Sequence, residues 1–220
     1  MICGPMSNSA RESILGSIRT HLAASVPFDE LPVNPAPAIL CKTANDVSLL
    51  GLFKEHLEDV AGHCVITTDV TDALSRIITD LNAQRIAISD SPEVKRLLYA
   101  TDLEIEELGV VPDAHDIFRF DVGISTAQAG IAETGTLVLD SARERNRLVS
   151  LVPPVHIAIL DASRIVETLG EALALLRKDD EISPAVTFIT GPSRTADIEL
   201  TLAIGVHGPR ELYVIINGSS

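Results

Sequence analysis

The stretch from Cys64 to Pro92 constrains the fold more than any other part of the chain, because strand and helix signals alternate there without interruption. Cys64 to Thr68 (CVITT) and Arg85 to Ser89 (RIAIS) are short β-branched and aliphatic runs that read as strands. DALSRIITDLN between them has helical spacing, and Ser91-Pro92 supplies the cap and first turn of a further helix. A strand–helix–strand rhythm requires right-handed crossovers, which lay the strands parallel. The expected fold class is therefore α/β, with a mostly parallel central sheet flanked by helices. The apolar content fits: 46% of residues are hydrophobic, Trp is absent and Phe plus Tyr total seven, so the bulk is aliphatic, as a sheet buried on both faces needs.

Farther along, FDVGISTAQAGIAETGTLVLD and NRLVSLVPPVHIAIL contain three apolar runs, Thr136 to Leu139, Leu148 to Leu151 and Val155 to Leu160, joined by short polar or proline turns. Neighbouring strands, some antiparallel, are expected here. Ser163 is expected to cap a helix reaching about Arg177, and strands are expected at Ala185 to Ile189 and Leu212 to Ile216. Val65 to Thr67, Ile86 to Ser89 and Val186 to Ile189 should share one sheet. Between the last two strands, IELTLAIGV alternates apolar residues at every second position and reads as extended.

The N-terminal part differs in kind. Ser9 with Glu12 fits a capping box, and Ile14, Leu15, Ile18 and Leu22 then fall on one side of a helix to about Ala24. Val26 to Ala38 (VPFDELPVNPAPA) carries four prolines, which excludes a continuous helix or a central strand. Residues 1–40 thus read as a helical N-terminal extension with a Pro-rich linker and 41–220 as the α/β domain, opening with an amphipathic helix from about Thr43 to Val60 whose Val47, Leu50 and Leu57 face inward.

A net charge of -14 repels polyanions, so neither nucleic acid nor an anionic membrane is an expected partner, and the scarcity of aromatic residues denies bases a stacking platform. A small anion held by a local basic patch remains possible. Cys3, Cys41 and Cys64 are too few and too widely spaced for an all-cysteine iron–sulfur cluster. No histidine spacing suggests a metal site, and no stretch approaches the roughly 18 apolar residues of a membrane span. A cytoplasmic protein with no cofactor of its own is the expectation.

The glycine patterns are negative evidence. Gly130 to Thr136 has the gap of a phosphate loop but lacks its lysine and leads into a strand, and Gly-x-Gly-x-x-Gly is absent. Ser125 sits one residue short of a nucleophile elbow. Glu133, flanked by Ala, Thr and Gly in AETGT, is either a carboxylate with room for a ligand, serving as nucleophile or base, or a turn former that accepts backbone hydrogen bonds. Thr134, Gly135 and Thr136 share that stretch. Arg143, Arg145 and Arg147 are spaced to clamp a carboxylate or phosphate, or else to sit in a solvated loop. Thr190 to Ser193 reads as a strand exit whose amides, from Gly191 to Ser193, hold an anion together with Arg194, itself anchored by Asp197 or Glu199; a proline-forced turn is the alternative. His156 and His207 read as core or turn histidines, with His207 also close enough in sequence to this segment to be a ligand contact.

GIAETGTLVLD, NRLVSLVPPVHIAIL, ITGPSRTADIE and GVHGPRELYVII, in that order and spacing, together resemble the lactate utilization protein C family, built on the lactate utilization (LUD) domain. The resemblance covers roughly residues 40 to 217. It implies an α/β sheet of the sugar-phosphate isomerase and CoA-transferase type. It also implies a role in a cytosolic three-protein system that oxidises L-lactate to pyruvate, in which the partner proteins carry the iron–sulfur clusters. In CoA transferases of the related fold a glutamate is the acyl-accepting nucleophile, which singles out Glu133. The alternative function is a stand-alone transferase or isomerase acting on a carboxylate, CoA thioester or sugar phosphate through Glu133. AETGT and TGPSR should then converge at the carboxyl-end crevice of the sheet.

Overall fold

The computed structural model describes residues 8–24, 48–101, 103, 106–110, 116–144, 146–177, 184–195, 203–204 and 208–218. The chain divides into two compact units, residues 1–43 and 44–220. The first contains helix α1 (Asn8–Ala24), so Ser9 falls inside the first turn instead of at the cap. The Pro-rich segment lies outside the described residues.

In the second unit, α2 (Leu49–Asp59) starts where Ser48 Oγ accepts from Gly51 N–H at 3.1 Å, an N-cap that fixes its first turn. Strand β1 (His63–Thr67), α3 (Val70–Asp80), β2 (Arg85–Ile88) and α4 (Pro92–Tyr99) follow the alternation read from the sequence, and β3 (Glu107–Gly109), a strand not expected there, comes next. After them come β4 (Val122–Ala127), β5 (Ala129–Ile131), β6 (Thr136–Asp140), β7 (Val155–Asp161), β8 (Ile165–Val166), α5 (Leu169–Arg177) and β9 (Val186–Ile189). The chain closes with β10 (Arg194–Thr195), β11 (Ala203–Ile204) and β12 (Glu211–Asn217).

Six strands form an all-parallel sheet in the order β1-β12-β7-β4-β2-β3. Side-chain alternation sends Ile86, Ile88, Val122, Ile124, Ile157, Ile159 and Ile215 to one face, where α3 and α4 cover them with Leu74, Ile77, Val94 and Leu98. The other face, with Ala158, Leu160, Leu212, Val214 and Ile216, packs on Phe53 and Leu57 of α2 and on Leu137 and Leu139 of a second sheet. That sheet runs β8-β5-β6-β9, antiparallel at β5-β6 and β6-β9, and its far side is covered by α5 through Ala172 and Leu176. Phe53 and Leu57 are fully buried between the two sheets, so truncating Phe53 to Ala should cost about 3–5 kcal/mol.

Three expectations need correction. Val186–Ile189 is a strand, but of the second sheet, pairing antiparallel with β6 from Leu137↔Ile189 to Asp140↔Val186. Leu148 to Leu151 is not a strand: Arg147–Ser150 forms a 3-10 turn, closed by Ser150 Oγ donating to Arg147 O. Val149 packs inward against Ile117, Phe120 and Ala87 with Leu148 partly buried beside it, a pattern a four-residue apolar run does not distinguish from a strand. Finally, the helix expected at Ser163 begins six residues later. Asp161 Oδ1 accepts from the Ser163 amide and hydroxyl, holding a short turn, and Ile165–Val166 then pairs with β5. The true start is a capping box, Thr168 Oγ1 accepting from Glu171 N–H and Glu171 Oε2 accepting from Thr168 N–H.

Candidate functional site

The strand order reverses between β2 and β4. The chain leaves β2 into α4 on one face of the parallel sheet and leaves β4 into β5 on the other, so the carboxyl ends of these strands part and open a crevice, the usual ligand position in open α/β sheets. A cleft of about 820 Å³ occupies this place. Each parallel strand around it ends in a polar residue that reaches the cleft: Asp90 after β2, Thr126 and Gln128 at the end of β4, Asp161 of β7 and Asn217 of β12. Arg143 and Arg164 add two cations.

The wall near β4 is a fixed hydrogen-bond chain. Gln128, 5% exposed, accepts from Asp140 N–H through Oε1 at 2.7 Å and donates from Nε2 to Thr126 Oγ1 at 3.1 Å. Its carbonyl accepts from Arg164 Nε–H at 2.8 Å, which orients that guanidinium. The Thr126 hydroxyl donates in turn to Glu144 Oε1, and the Thr126 amide donates to the same oxygen at 2.9 Å. Glu144 is 2% exposed and its Oε2 has no hydrogen-bond partner of regular geometry. Burial pushes its pKa above the usual carboxylate value; the Thr126 and Ser89 hydroxyls and the Thr126 amide oppose the rise, and nearby Asp90 adds to it. The result is a polar wall backed by an acid whose pKa burial raises.

Glu133, Thr134, Gly135 and Thr136 lie elsewhere, in and beside the turn joining β5 to β6. Glu133 is exposed, with its amide donating to Glu167 O at 3.1 Å and its Oε1 accepting from Leu169 N–H at 3.4 Å. Gly135 has φ +61°, and a Cβ there would stand 2.3 Å from Leu57 N, so the turn is seated against α2. His56 Nδ1 lies 2.7 Å from Ala132 O at the same contact. Thr134, Thr136 and Thr190 form a hydroxyl chain with both links at 2.7 Å, so AETGT and ITGPSR do meet.

They do not meet at the carboxyl-end crevice. Thr190 follows β9, a strand of the second sheet, and its exit has no necessary relation to the carboxyl edge of the parallel one. Gly191 (φ +81°) turns under Val60, Arg194 donates to Val60 O at 2.9 Å, and Ser193 N–H donates to Pro209 O just before β12. These residues therefore lie by the amino ends of β1 and β12, where Arg194 and Arg210 border a smaller hollow of about 380 Å³. Arg147 is exposed on the 3-10 turn and is not among the described residues that line the cleft, whereas Arg143 is. Arg145, Asp197 and His207 lie outside the described residues. The Cys64 thiol is pushed up to about 11, mainly by burial and further by Glu58, and so stays neutral. Among the described residues no helix is long and apolar enough to cross a membrane.

Asp90, Thr126, Gln128, Glu144, Asp161 and Arg164 had no place in the reading of motifs. For Asp90 and Asp161 the signal was positional, since each directly follows an apolar run read as a strand and the rule for open α/β sheets points to such positions; β4, which carries Thr126, was not read as a strand.

Comparison with known proteins assigns the chain. The LUD domain family model matches residues 50–217. An uncharacterized protein of Neisseria meningitidis is 48% identical over 98 residues, 44% of this chain and 42% of that protein, so this chain spans less than half of that relative. Lactate utilization protein C of Deinococcus radiodurans is 30% identical over 97% of this chain and 98% of its own length. Lactate utilization protein C of Macrococcus caseolyticus is 31% identical over 78% of this chain and 83% of its own. A crystal structure of a DUF162 family protein from Deinococcus radiodurans has the same fold, with a TM-score of 0.57 at 23% identity over 76% of this chain and 95% of that one. A domain match from residue 50 to 217, and a relative aligned over nearly the whole of both chains, establish that the chain belongs to the lactate utilization protein C family of LUD domain proteins.

Proposed function

We propose that this protein acts in the oxidation of L-lactate to pyruvate, as a cytoplasmic subunit that binds the organic acid and has no iron–sulfur cluster of its own. The observation that carries this reading is the alignment with lactate utilization protein C over 97% of the chain. Converting a 2-hydroxy acid to a 2-oxo acid removes two electrons and two protons. In this reading the electrons pass to iron–sulfur partner proteins, and this chain contributes binding and positioning. The cleft at the carboxyl ends of β2 and β4 supports the assignment of that task, because Arg143 and Arg164 line it and a guanidinium suits a carboxylate.

Deleting the gene should abolish growth on L-lactate as sole carbon source while leaving growth on pyruvate intact, and a tagged copy should restore it and bring down iron-containing proteins. Unimpaired growth on L-lactate, with no iron in the purified assembly, would remove the reading.

A further inference from the structure

The cleft carries both signs of charge: among the described residues Arg143 and Arg164 line it together with Asp90, Glu93 and Asp161. Among the described residues its apolar lining is Pro92, Ala127, Ala142 and Ile159, none of which offers a nucleobase an aromatic stacking face. A cleft of about 820 Å³ lies in the range of metabolite sites. Arginines next to carboxylates suit a ligand that has an anionic head and also hydrogen-bond donors, since a bare anion would leave the acidic side facing it unanswered.

We propose that this cleft is a binding site for a hydroxylated anion, its carboxylate or phosphate head against Arg143 and Arg164 and its hydroxyl group donating to the acidic side, with Glu144 as a positioning residue that sets Thr126. Glu144 does not line the cleft; it acts by accepting both the amide and the hydroxyl of Thr126, which does. A carboxyl group 2% exposed is expensive to bury, and holding one wall of a binding site is a role that offsets the cost. The cleft stands as a site whether or not the chain acts on lactate. A 2-hydroxy acid and a phosphorylated polyol share the required chemistry, and the test separates them.

Calorimetry on the full chain would compare L-lactate with propionate, and glycerol 3-phosphate with inorganic phosphate, at fixed ionic strength. In at least one pair the hydroxylated member should bind at least about tenfold tighter, because a site built to accept a hydroxyl discriminates against its absence. Arg143→Ala should weaken that binding about tenfold, whereas Arg76→Ala, on the exposed side of α3, should not. Glu144→Ala should reduce the ratio within the pair, and Glu144→Gln, which retains the acceptor for Thr126, should keep it; a purely structural role would leave the ratio alone. Absence of binding by both hydroxylated probes at millimolar concentration, equal affinity within both pairs, or an unaffected Arg143→Ala variant overturns the proposal. Preference for glycerol 3-phosphate alone would keep the site and assign its ligand to phosphorylated polyols; the growth phenotype on L-lactate decides the proposed function separately.

Discussion

Ser125 Oγ lies 2.9 Å from His156 Nε2, with Ser125 2% exposed and His156 fully buried between β4 and β7. The spacing is that of a nucleophile and its base, but the pair is sealed from solvent, and burial pushes the histidine down to about 3, which makes it a poor proton acceptor. Its Nδ1 has no hydrogen-bond partner among the described residues. The pair is a structural element of the sheet, and it should be visible in stability. The folded state takes up this proton only near pH 3, the unfolded state near 6.5, so the unfolded chain binds more protons in between. Stability is therefore complete above the unfolded value and falls with pH toward the folded one, by at most about 1.4 kcal/mol per pH unit from this group. Urea titrations should show His156→Gln with a shallower acid-side slope than the parent; an unchanged slope would exclude His156 as the source. Ser125→Ala should cost about 1–3 kcal/mol by leaving Nε2 unpaired.

The AETGT turn depends on Gly135. Its φ of +61° is disfavoured for a residue with a Cβ, and the Cβ would press on the Leu57 backbone. Gly135→Ala should lower stability by about 3 kcal/mol or more, combining left-handed strain with overpacking. Gly170→Ala is the matched comparison: it lies in the first turn of α5, where a Cβ would meet nothing nearer than 3.9 Å, and it should be neutral or stabilising by up to about 1 kcal/mol. Equal melting temperatures for the two variants would contradict the seating of the turn against α2.

The parallel sheet was legible because periodicity encodes it: β1, β2, β7 and β12 lie where apolar runs stood, and α3 and α4 between the runs that bracket them. What the sequence did not reveal was membership. Val186–Ile189 has the composition of a buried strand in either sheet, and only its antiparallel partner β6 decides which. The same ambiguity misplaced the site. Glu133 and Arg194 stand out chemically in the sequence, yet they are held by neighbouring backbone, whereas Glu144 gains its meaning from Thr126, and Gln128 from Asp140 and Arg164, partners that only the fold brings beside them. The capping box at Thr168 and Glu171 was readable and outweighed the Ser163 signal.

Arg194 illustrates the consequence. Its guanidinium donates to Val60 O, the C-cap of α2, a position where a cation is favoured by the helix carbonyls. Arg194→Ala should lower stability by about 0.5–1.5 kcal/mol, the value of one such hydrogen bond. Chemical denaturation would measure this, and calorimetry with the probes of the carboxyl-end cleft should show no change in affinity. A variant of unchanged stability but impaired binding would return Arg194 to the ligand site.

Glu144 should give a pH dependence opposite in sign to that of His156. Burial raises its folded pKa above the unfolded carboxylate value, so in the interval between the two the folded state holds the extra proton. Stability from this group is complete below the unfolded pKa of 4.5 and declines as pH rises toward the folded value. Replacing Glu144 by Gln removes the titration while keeping an oxygen that accepts from the Thr126 amide and hydroxyl. Relative to the parent, Glu144→Gln should thus be least favourable below the unfolded pKa of 4.5 and become more favourable as pH rises from there to the folded value, as linkage requires. Denaturant midpoints of both proteins across that range provide the measurement. A difference that stays flat with pH would mean that Glu144 titrates alike in the folded and unfolded chains, and that the acid behind the Thr126 wall is ionised like any surface carboxylate.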